Sequence, residues 1–278
     1  MTMTGSTLAL EGRPESVFRP INATRKQARL ITFEEHATTP FPTPGVSTTF
    51  NTFSPAFLES LKSRLRDIDL RVQIMDKNNI AAQIISLNQP TSQGFIKLEE
   101  SVAFCRKANQ FVYENYCMKY LGRFFAFATL PTQNGQAAAE ELERCVQEYG
   151  FVGAMINGFT TTADPTKGLY LDDRQFDVLW EVSERLQKPI FIHPRVPLAS
   201  NLQVLEDIPI LHGAPYGFAR ETVEHVLRLM YSGVFDRFPK LKICLGHMGE
   251  GLSWILPRTD ATFRMYTKGK HVYYSSPL

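Results

Sequence analysis

The sequence of 278 residues lacks the features of disulfide-bonded, membrane-spanning and nucleic-acid-binding proteins. Its four cysteines show no CxxC spacing, which predicts reduced thiols in a cytosolic protein. No apolar run approaches the ~20 residues that a membrane helix requires, and the first residues lack the charged-then-apolar order of a signal peptide. The net charge is only +2 and no dense basic run is present, so we expect no nucleic-acid partner.

Length and composition leave room for one large α/β domain. Hydrophobic residues make up 44% of the chain and charged residues 21%, as in ordinary globular proteins. Barrels of alternating strands and helices need roughly 250 residues, which this chain provides. Residues 1–28 are polar and without periodicity, so we interpret them as an N-terminal extension and residues 29–278 as the domain.

Short apolar runs alternate with segments of helical periodicity along the whole domain. Regular alternation of this kind predicts a parallel sheet, and the count approaches a (β/α)8, TIM-barrel-like fold. The count is short by at least one strand and its helix, so the expected barrel is incomplete. The predicted strands cover residues 29–33, 80–87, 123–130, 151–156, 189–193, 241–245 and 272–274.

Three polar motifs follow predicted strands. Glu34 and His36 are two residues apart, so they face the same side of a strand and could clamp a divalent metal ion. His193 closes another strand, although a lone histidine there is more often a core residue. Glu250 follows His247 by three residues and could orient its ring, the alternative being a helix-capping carboxylate. Convergence of all three strand ends favours a functional site over packing.

These motifs resemble the amidohydrolase superfamily. The similarity runs from about residue 29 to the C-terminus and includes the segment Gly246-His247-Met248-Gly249-Glu250-Gly251 and Arg258-Thr259-Asp260. The branch that the sequence resembles contains metal-dependent non-oxidative decarboxylases of 2-hydroxybenzoates, such as γ-resorcylate, 2,3-dihydroxybenzoate and 6-methylsalicylate decarboxylases. The resemblance therefore implies a carboxy-lyase with a small aromatic acid as substrate and a role in aromatic or secondary metabolism.

The resemblance also implies roles for individual residues. It implies that Glu34, His36 and His193 bind zinc or manganese, and that His247 and Glu250 form a catalytic pair beside the metal. Arg258 would then bind the substrate carboxylate or hydroxyl, while an exposed helix charge is its simpler interpretation. The family further suggests a homodimer or homotetramer and no organic cofactor.

Two other functions stay open at this point. One is a metal-dependent hydrolase of a lactone or amide, although Glu34 replaces the first histidine of the usual His-x-His pair. The other is a pseudo-enzyme, because the family's last metal ligand is an aspartate after the eighth strand and no residue here matches it. Asp260 comes too early in the sequence. We therefore expect a shortened product of an active enzyme, a variant completed by oligomerisation, or a remnant without activity.

Overall fold

The computed structural model describes residues 30–44 and 54–266, and a parallel sheet forms its centre. Six strands hydrogen-bond in the order β1-β2-β3-β4-β7-β8, and each neighbouring pair is parallel. The remaining two strands form a small antiparallel pair beside this sheet. The strands are β1 (Leu30–Ala37), β2 (Ile80–Leu87), β3 (Phe124–Thr129), β4 (Gly153–Asn157), β5 (Thr160–Thr161), β6 (Gly168–Leu169), β7 (Ile190–His193) and β8 (Ile243–Leu245).

Helices connect successive strands of the parallel sheet, which curls into part of a barrel. This arrangement confirms the predicted α/β class and the TIM-barrel-like fold. No helix in the described ranges is long and apolar enough to cross a membrane. The helices are α1 (Pro55–Arg66), α2 (Ile68–Lys77), α3 (Leu98–Val112), α4 (Gly135–Tyr149), α5 (Asp177–Leu186), α6 (Ala199–Leu202), α7 (Gly217–Tyr231), α8 (Val234–Arg237) and α9 (Leu252–Tyr266).

Capping residues set several helix boundaries. The Ser54 hydroxyl accepts a hydrogen bond from Phe57 N–H and starts α1, as its position before a proline predicts. α1 ends at Arg66, because Asp67 has a non-helical backbone conformation. The Asp67 side chain accepts a hydrogen bond from Leu70 N–H at 2.8 Å and so caps the start of α2. In α4, the Asn134 side chain caps the start and Gly150, with φ +68°, ends the helix.

Both faces of the sheet are apolar, as expected for parallel strands. Ala126 and Ala128 of β3 belong to the large core between the sheet and its helices, which also contains Trp180 of α5. The intervening Phe127 points to the opposite side and packs in a smaller cluster with Met155 and Phe191. Strand alternation therefore places this smaller cluster inside the curl of the sheet.

Some predicted boundaries were wrong. β1 was predicted to stop at residue 33, but it runs to Ala37 because His36 pairs with Ser86 of β2. α9 begins at Leu252, so Glu250 lies in the loop before this helix. The long connection between β7 and α7 contains α6 and two short 3-10 turns. The short strands β5 and β6 correspond to no predicted strand. The N-terminal extension and the predicted strand at 272–274 lie outside the described residues.

Candidate metal centre

Strands β1 and β7 bring three predicted ligands to one point. Glu34 and His36 project from the same side of β1, and His193 is the last residue of β7. One ligand atom from each residue lies within 4.8 Å of the other two. Oε1 of Glu34 is 3.8 Å from Nε2 of His193. The sequence prediction that these distant residues meet is therefore correct in geometry, while their binding of metal stays a prediction.

Burial keeps the two histidines of this triad neutral. It lowers the pKa of His36 to about 4, with smaller contributions from His247 and the Arg71 guanidinium. The pKa of His193 is held well below its usual range, mainly by burial and then by His36 and His247. A neutral imidazole is the form that binds a metal ion, so both rings are prepared for this role.

Each histidine of the triad uses its Nδ1 atom for a contact within the protein. Nδ1 of His193 lies 3.0 Å from Oδ1 of Asn157, and Nδ1 of His36 lies 3.2 Å from the Ser86 hydroxyl. Nε2 of His193 is buried and has no hydrogen-bond partner among the described residues. A buried, unpartnered ring nitrogen beside a carboxylate and a second imidazole fits a divalent metal ion.

Gly246 keeps the space around the triad open. A Cβ atom at this position would lie 3.1 Å from Oε1 of Glu34, 3.1 Å from Cδ of Pro194 and 3.3 Å from Cδ2 of His193. These distances are shorter than ordinary van der Waals contacts, so the neighbouring atoms would have to move to admit a Cβ atom. The absence of a side chain at position 246 therefore lets the loop after β8 approach the triad closely.

His247 and Glu250 lie beside the triad in the loop after β8. The His247 backbone N–H donates to Oε1 of Glu34 at 2.9 Å, and the His247 Nε2 atom is 3.6 Å from the same oxygen. Its Nδ1 atom lies 2.5 Å from Oε1 of Glu250. The predicted pair is thus formed, with Nε2 of His247 directed at the triad.

The backbone of this loop is strained. His247, Met248 and Glu250 all have positive φ, between +49° and +57°, although none is glycine. Non-glycine residues in this region cost about 1–3 kcal/mol each and persist where the surrounding structure imposes them. The contact of His247 with Glu34 is one such constraint.

The structure places the predicted residue Arg258, and its neighbour Asp260, on α9 rather than in the triad. Arg258 lies exposed on α9, and the described residues show no contact between its guanidinium and the triad. Its role in substrate binding stays a prediction. Asp260 pairs with Arg264 at 3.0 Å within the same helix.

Three residues that support the site were not predicted. Asn157 and Ser86 hold the two imidazole rings, and Arg71 donates to the His36 carbonyl and lies 3.4 Å from Glu35. This pairing keeps Glu35 on the opposite side of β1 from Glu34 and His36. Asn157 ends its strand as His193 does, and that position is the one sequence signal that could have identified it.

The chain belongs to the amidohydrolase family. The family model described as Amidohydrolase matches residues 53–276. Among characterised relatives, the γ-resorcylate decarboxylase of Rhodococcus jostii (strain RHA1) is 43% identical over 235 residues, covering 83% of this chain and 70% of the relative. The chain spans between 61% and 70% of the length of the γ-resorcylate decarboxylases that it matches.

Solved structures of decarboxylases share the fold. A dihydroxybenzoic acid decarboxylase of Polaromonas sp. JS666, with bound manganese and the inhibitor 2-nitroresorcinol, aligns with a TM-score of 0.82 and 39% identity over 89% of this chain and 74% of that one. A 2,6-dihydroxybenzoate decarboxylase in complex with 2,6-dihydroxybenzoate aligns with a TM-score of 0.81 and 39% identity, covering 88% and 74% of the two chains. The family and fold predictions are therefore confirmed.

Proposed function

We propose that this protein is a metal-dependent non-oxidative decarboxylase of a small 2-hydroxybenzoate-type acid. The observation that carries the proposal is the meeting of Glu34, His36 and His193 beside the His247–Glu250 pair. The activity of the relatives, which are γ-resorcylate and dihydroxybenzoate decarboxylases, supports this function over hydrolysis of a lactone or amide. Arg258 is proposed as the cationic partner of the substrate carboxylate or hydroxyl.

Glu34, His36 and His193 would hold a divalent ion, zinc or manganese. One carboxylate and two imidazoles are donors that both ions accept, and the manganese in the Polaromonas structure supports testing that ion first. Such an ion, when bound, would act as a Lewis acid toward the substrate oxygens and would stabilise phenolate character. Glu34 adds negative charge to the site, while the neutral rings of His36 and His193 add none.

His247 is proposed to hold and move the proton that the reaction consumes. The Glu250 carboxylate faces Nδ1 of His247, which leaves Nε2 directed at Glu34 of the triad, where the substrate would bind. A proton delivered to the ring carbon bearing the carboxylate would allow the C–C bond to break. Carbon dioxide then leaves, its bonding electrons return to the ring, and the ring becomes aromatic again. The net reaction replaces the carboxylate by hydrogen.

We further propose that the protein works in the cytoplasm as a homodimer or homotetramer. The four cysteines are free, which is consistent with a reducing compartment. Leu30, Ile31 and Phe33 of β1 are each at least half exposed, and an apolar strand of this kind is commonly covered in an assembly.

Product formation and metal content together test the function. The full chain, loaded with Mn²⁺ or Zn²⁺, is incubated with a panel of 2-hydroxybenzoates, and carbon dioxide and the phenol are measured. We expect His193→Asn to lose both bound metal and product. His212→Asn is the matched control, since His212 contacts the Leu205 carbonyl outside the triad, and it should retain both.

The alternatives give different results in this experiment. Stoichiometric metal with release of acid from a lactone, and no carbon dioxide, would favour the hydrolase. Failure of the wild-type chain to bind either ion would favour a pseudo-enzyme. Metal binding without any product across the panel would overturn the decarboxylase proposal.

A further inference from the structure

A line of buried polar side chains leads away from His193. These side chains lie at or shortly after the ends of β2, β3 and β4, and each is 2% exposed or less: Asn157, Thr91, Gln93, Thr132 and Thr160. Buried polar groups are costly unless they are hydrogen-bonded, so the partners of each member can be followed one by one.

Hydrogen bonds connect these side chains into one continuous hydrogen-bond network. From His193 Nδ1, the contact with Asn157 Oδ1 is 3.0 Å, and Asn157 Nδ2 then donates to Thr91 Oγ1 at 3.3 Å. The Thr91 hydroxyl donates to Gln93 Oε1 at 2.9 Å. Gln93 Nε2 donates to Thr132 Oγ1 at 3.3 Å, and the Thr132 and Thr160 hydroxyls lie 2.5 Å apart.

The donors of Asn157, Thr91 and Gln93 all point away from His193, and a backbone carbonyl identifies that direction. Asn157 Nδ2 also faces the Leu87 carbonyl oxygen at 3.5 Å, and a carbonyl oxygen can only accept. The amide of Asn157 therefore turns its oxygen toward His193, so that His193 Nδ1 must carry the proton. The lone pair is then on Nε2, the buried atom without a partner that faces Glu34.

His36 provides a contrast within the same site. Its Nδ1 atom contacts the Ser86 hydroxyl, which also lies 3.3 Å from the Glu35 carbonyl oxygen. A hydroxyl can rotate to donate or accept, so this contact holds the ring without fixing its tautomer as firmly as an amide does. The tautomer of His193 is thus the more strongly determined of the two.

The backbone at Thr91 gives an independent indication that the structure requires this hydrogen-bond network. Thr91 has φ +47°, a conformation that is unfavourable for a β-branched residue. The conformation places Oγ1 between Asn157 Nδ2 and Gln93 Oε1, where it satisfies both. Strain of this kind is retained where the surrounding structure requires it.

We propose that Thr91 and Gln93 are positioning residues for His193, which act through Asn157 to fix the ring tautomer whose Nε2 lone pair faces Glu34 and His36. The inference rests on the proposed metal centre, because a fixed Nε2 lone pair matters there as a ligand. Without the Thr91 hydroxyl, Asn157 Nδ2 keeps only the 3.5 Å contact with the Leu87 carbonyl, which holds the amide less firmly than the two contacts together. The reversed amide, which presents Nδ2–H to His193, then becomes accessible. The ring would then carry its proton on Nε2 and could not bind an ion through that atom.

The test compares Thr91→Val, Thr91→Ser and Thr222→Val in the full chain. Thr91→Val keeps the shape and the β-branching but removes the hydroxyl, and Thr91→Ser restores the hydroxyl. Thr222→Val is the matched control, because Thr222 is buried and its hydroxyl has no hydrogen-bond partner among the described residues. Two quantities are measured: the protonated nitrogen of His193, from ring ¹⁵N chemical shifts of the metal-free protein, and the Kd for Mn²⁺.

We expect the proton of His193 on Nδ1 in the wild type, in Thr91→Ser and in Thr222→Val. In Thr91→Val, the Nε2–H form should become populated and the Kd for Mn²⁺ should rise about tenfold, as for other residues that orient metal ligands. A purely structural role of Thr91 would lower stability without moving the proton. Gln93→Leu interrupts the hydrogen-bond network one residue further from His193. It replaces Thr91→Val in the test if Thr91→Val does not fold.

The outcomes separate this inference from the proposed function. An unchanged tautomer and a Kd within twofold of the wild type in Thr91→Val and Gln93→Leu would overturn the inference while leaving the metal centre intact. A wild-type chain that carries the proton on Nδ1 of His193, and loses that preference in Thr91→Val, would support the inference even if it bound no Mn²⁺. In that case the proposed function alone would fail.

Discussion

Replacement of Gly246 by alanine tests the geometry of the triad directly. Gly246 has φ −64° and ψ 162°, an extended conformation that alanine adopts without strain. The only consequence of Gly246→Ala is therefore the added methyl group. That group would lie 3.1 Å from Oε1 of Glu34 and 3.3 Å from Cδ2 of His193.

The size of the effect follows from these contacts. Relief of the contacts requires movement of a few tenths of an ångström by Glu34, His193 or the loop itself. Overpacking of this kind costs roughly 1–3 kcal/mol, which corresponds to a rise in Kd of between about fivefold and 150-fold if the triad takes up the movement. We therefore expect Gly246→Ala to bind Mn²⁺ at least fivefold more weakly than the wild type.

Chelator competition gives the Kd, and Gly249→Ala provides the control. Gly249 has φ +79°, so alanine there strains the backbone by about 1 kcal/mol, but its Cβ atom would meet only Leu245 Cδ1 at 3.7 Å. Gly249→Ala should therefore lower stability with little change in Kd. Equal Mn²⁺ affinity in Gly246→Ala and the wild type would refute the close approach of Gly246 to the triad.

Two further predictions concern Glu250 and Glu221. Glu250→Gln removes the charge that faces His247 Nδ1. The kcat for decarboxylation should therefore fall about tenfold to a hundredfold, while the metal content stays unchanged. A kcat within twofold of the wild type would contradict this role of Glu250. Burial raises the pKa of Glu221 to about 7, so its neutral form stabilises the fold at low pH and this contribution is lost as the pH rises through 7. Glu221→Gln keeps an acceptor for the Tyr170 hydroxyl. In urea unfolding above pH 7, this variant should be more stable than the wild type by up to roughly 3 kcal/mol, and at pH 4 the two should be equally stable. An equal gain in stability at both pH values would disprove the assignment.

Strands with a mainly apolar sequence were predictable from the chain alone. β2 matches its predicted bounds at both ends, because Ile80 to Leu87 are mainly apolar, with Gln83 and Ser86 as the polar exceptions, and residues on both faces are buried. β1 was predicted too short, because Glu34 and His36 look like the polar residues that follow a strand. They lie within it, and their pairing with β2 depends on the register between distant segments, which local sequence does not contain.

The triad could be predicted from the sequence, but its support could not. Glu34, His36 and His193 are residue types that bind metals, and each lies near the end of a strand, so they are visible in the sequence. Asn157 and Ser86 are ordinary polar residues until the curl of the sheet places them against the rings. The pair β5 and β6 has only two residues in each strand, too few for any periodicity to indicate them.

The hydrogen bond from the His247 amide to Glu34 joins residues 213 positions apart and links opposite edges of the sheet. Loop-closure entropy makes such a long-range contact one of the last to form during folding. The proposed ion site is therefore expected to be absent while only the central strands β2, β3 and β4 have paired. Metal in the refolding buffer should then slow unfolding without accelerating the first folding steps.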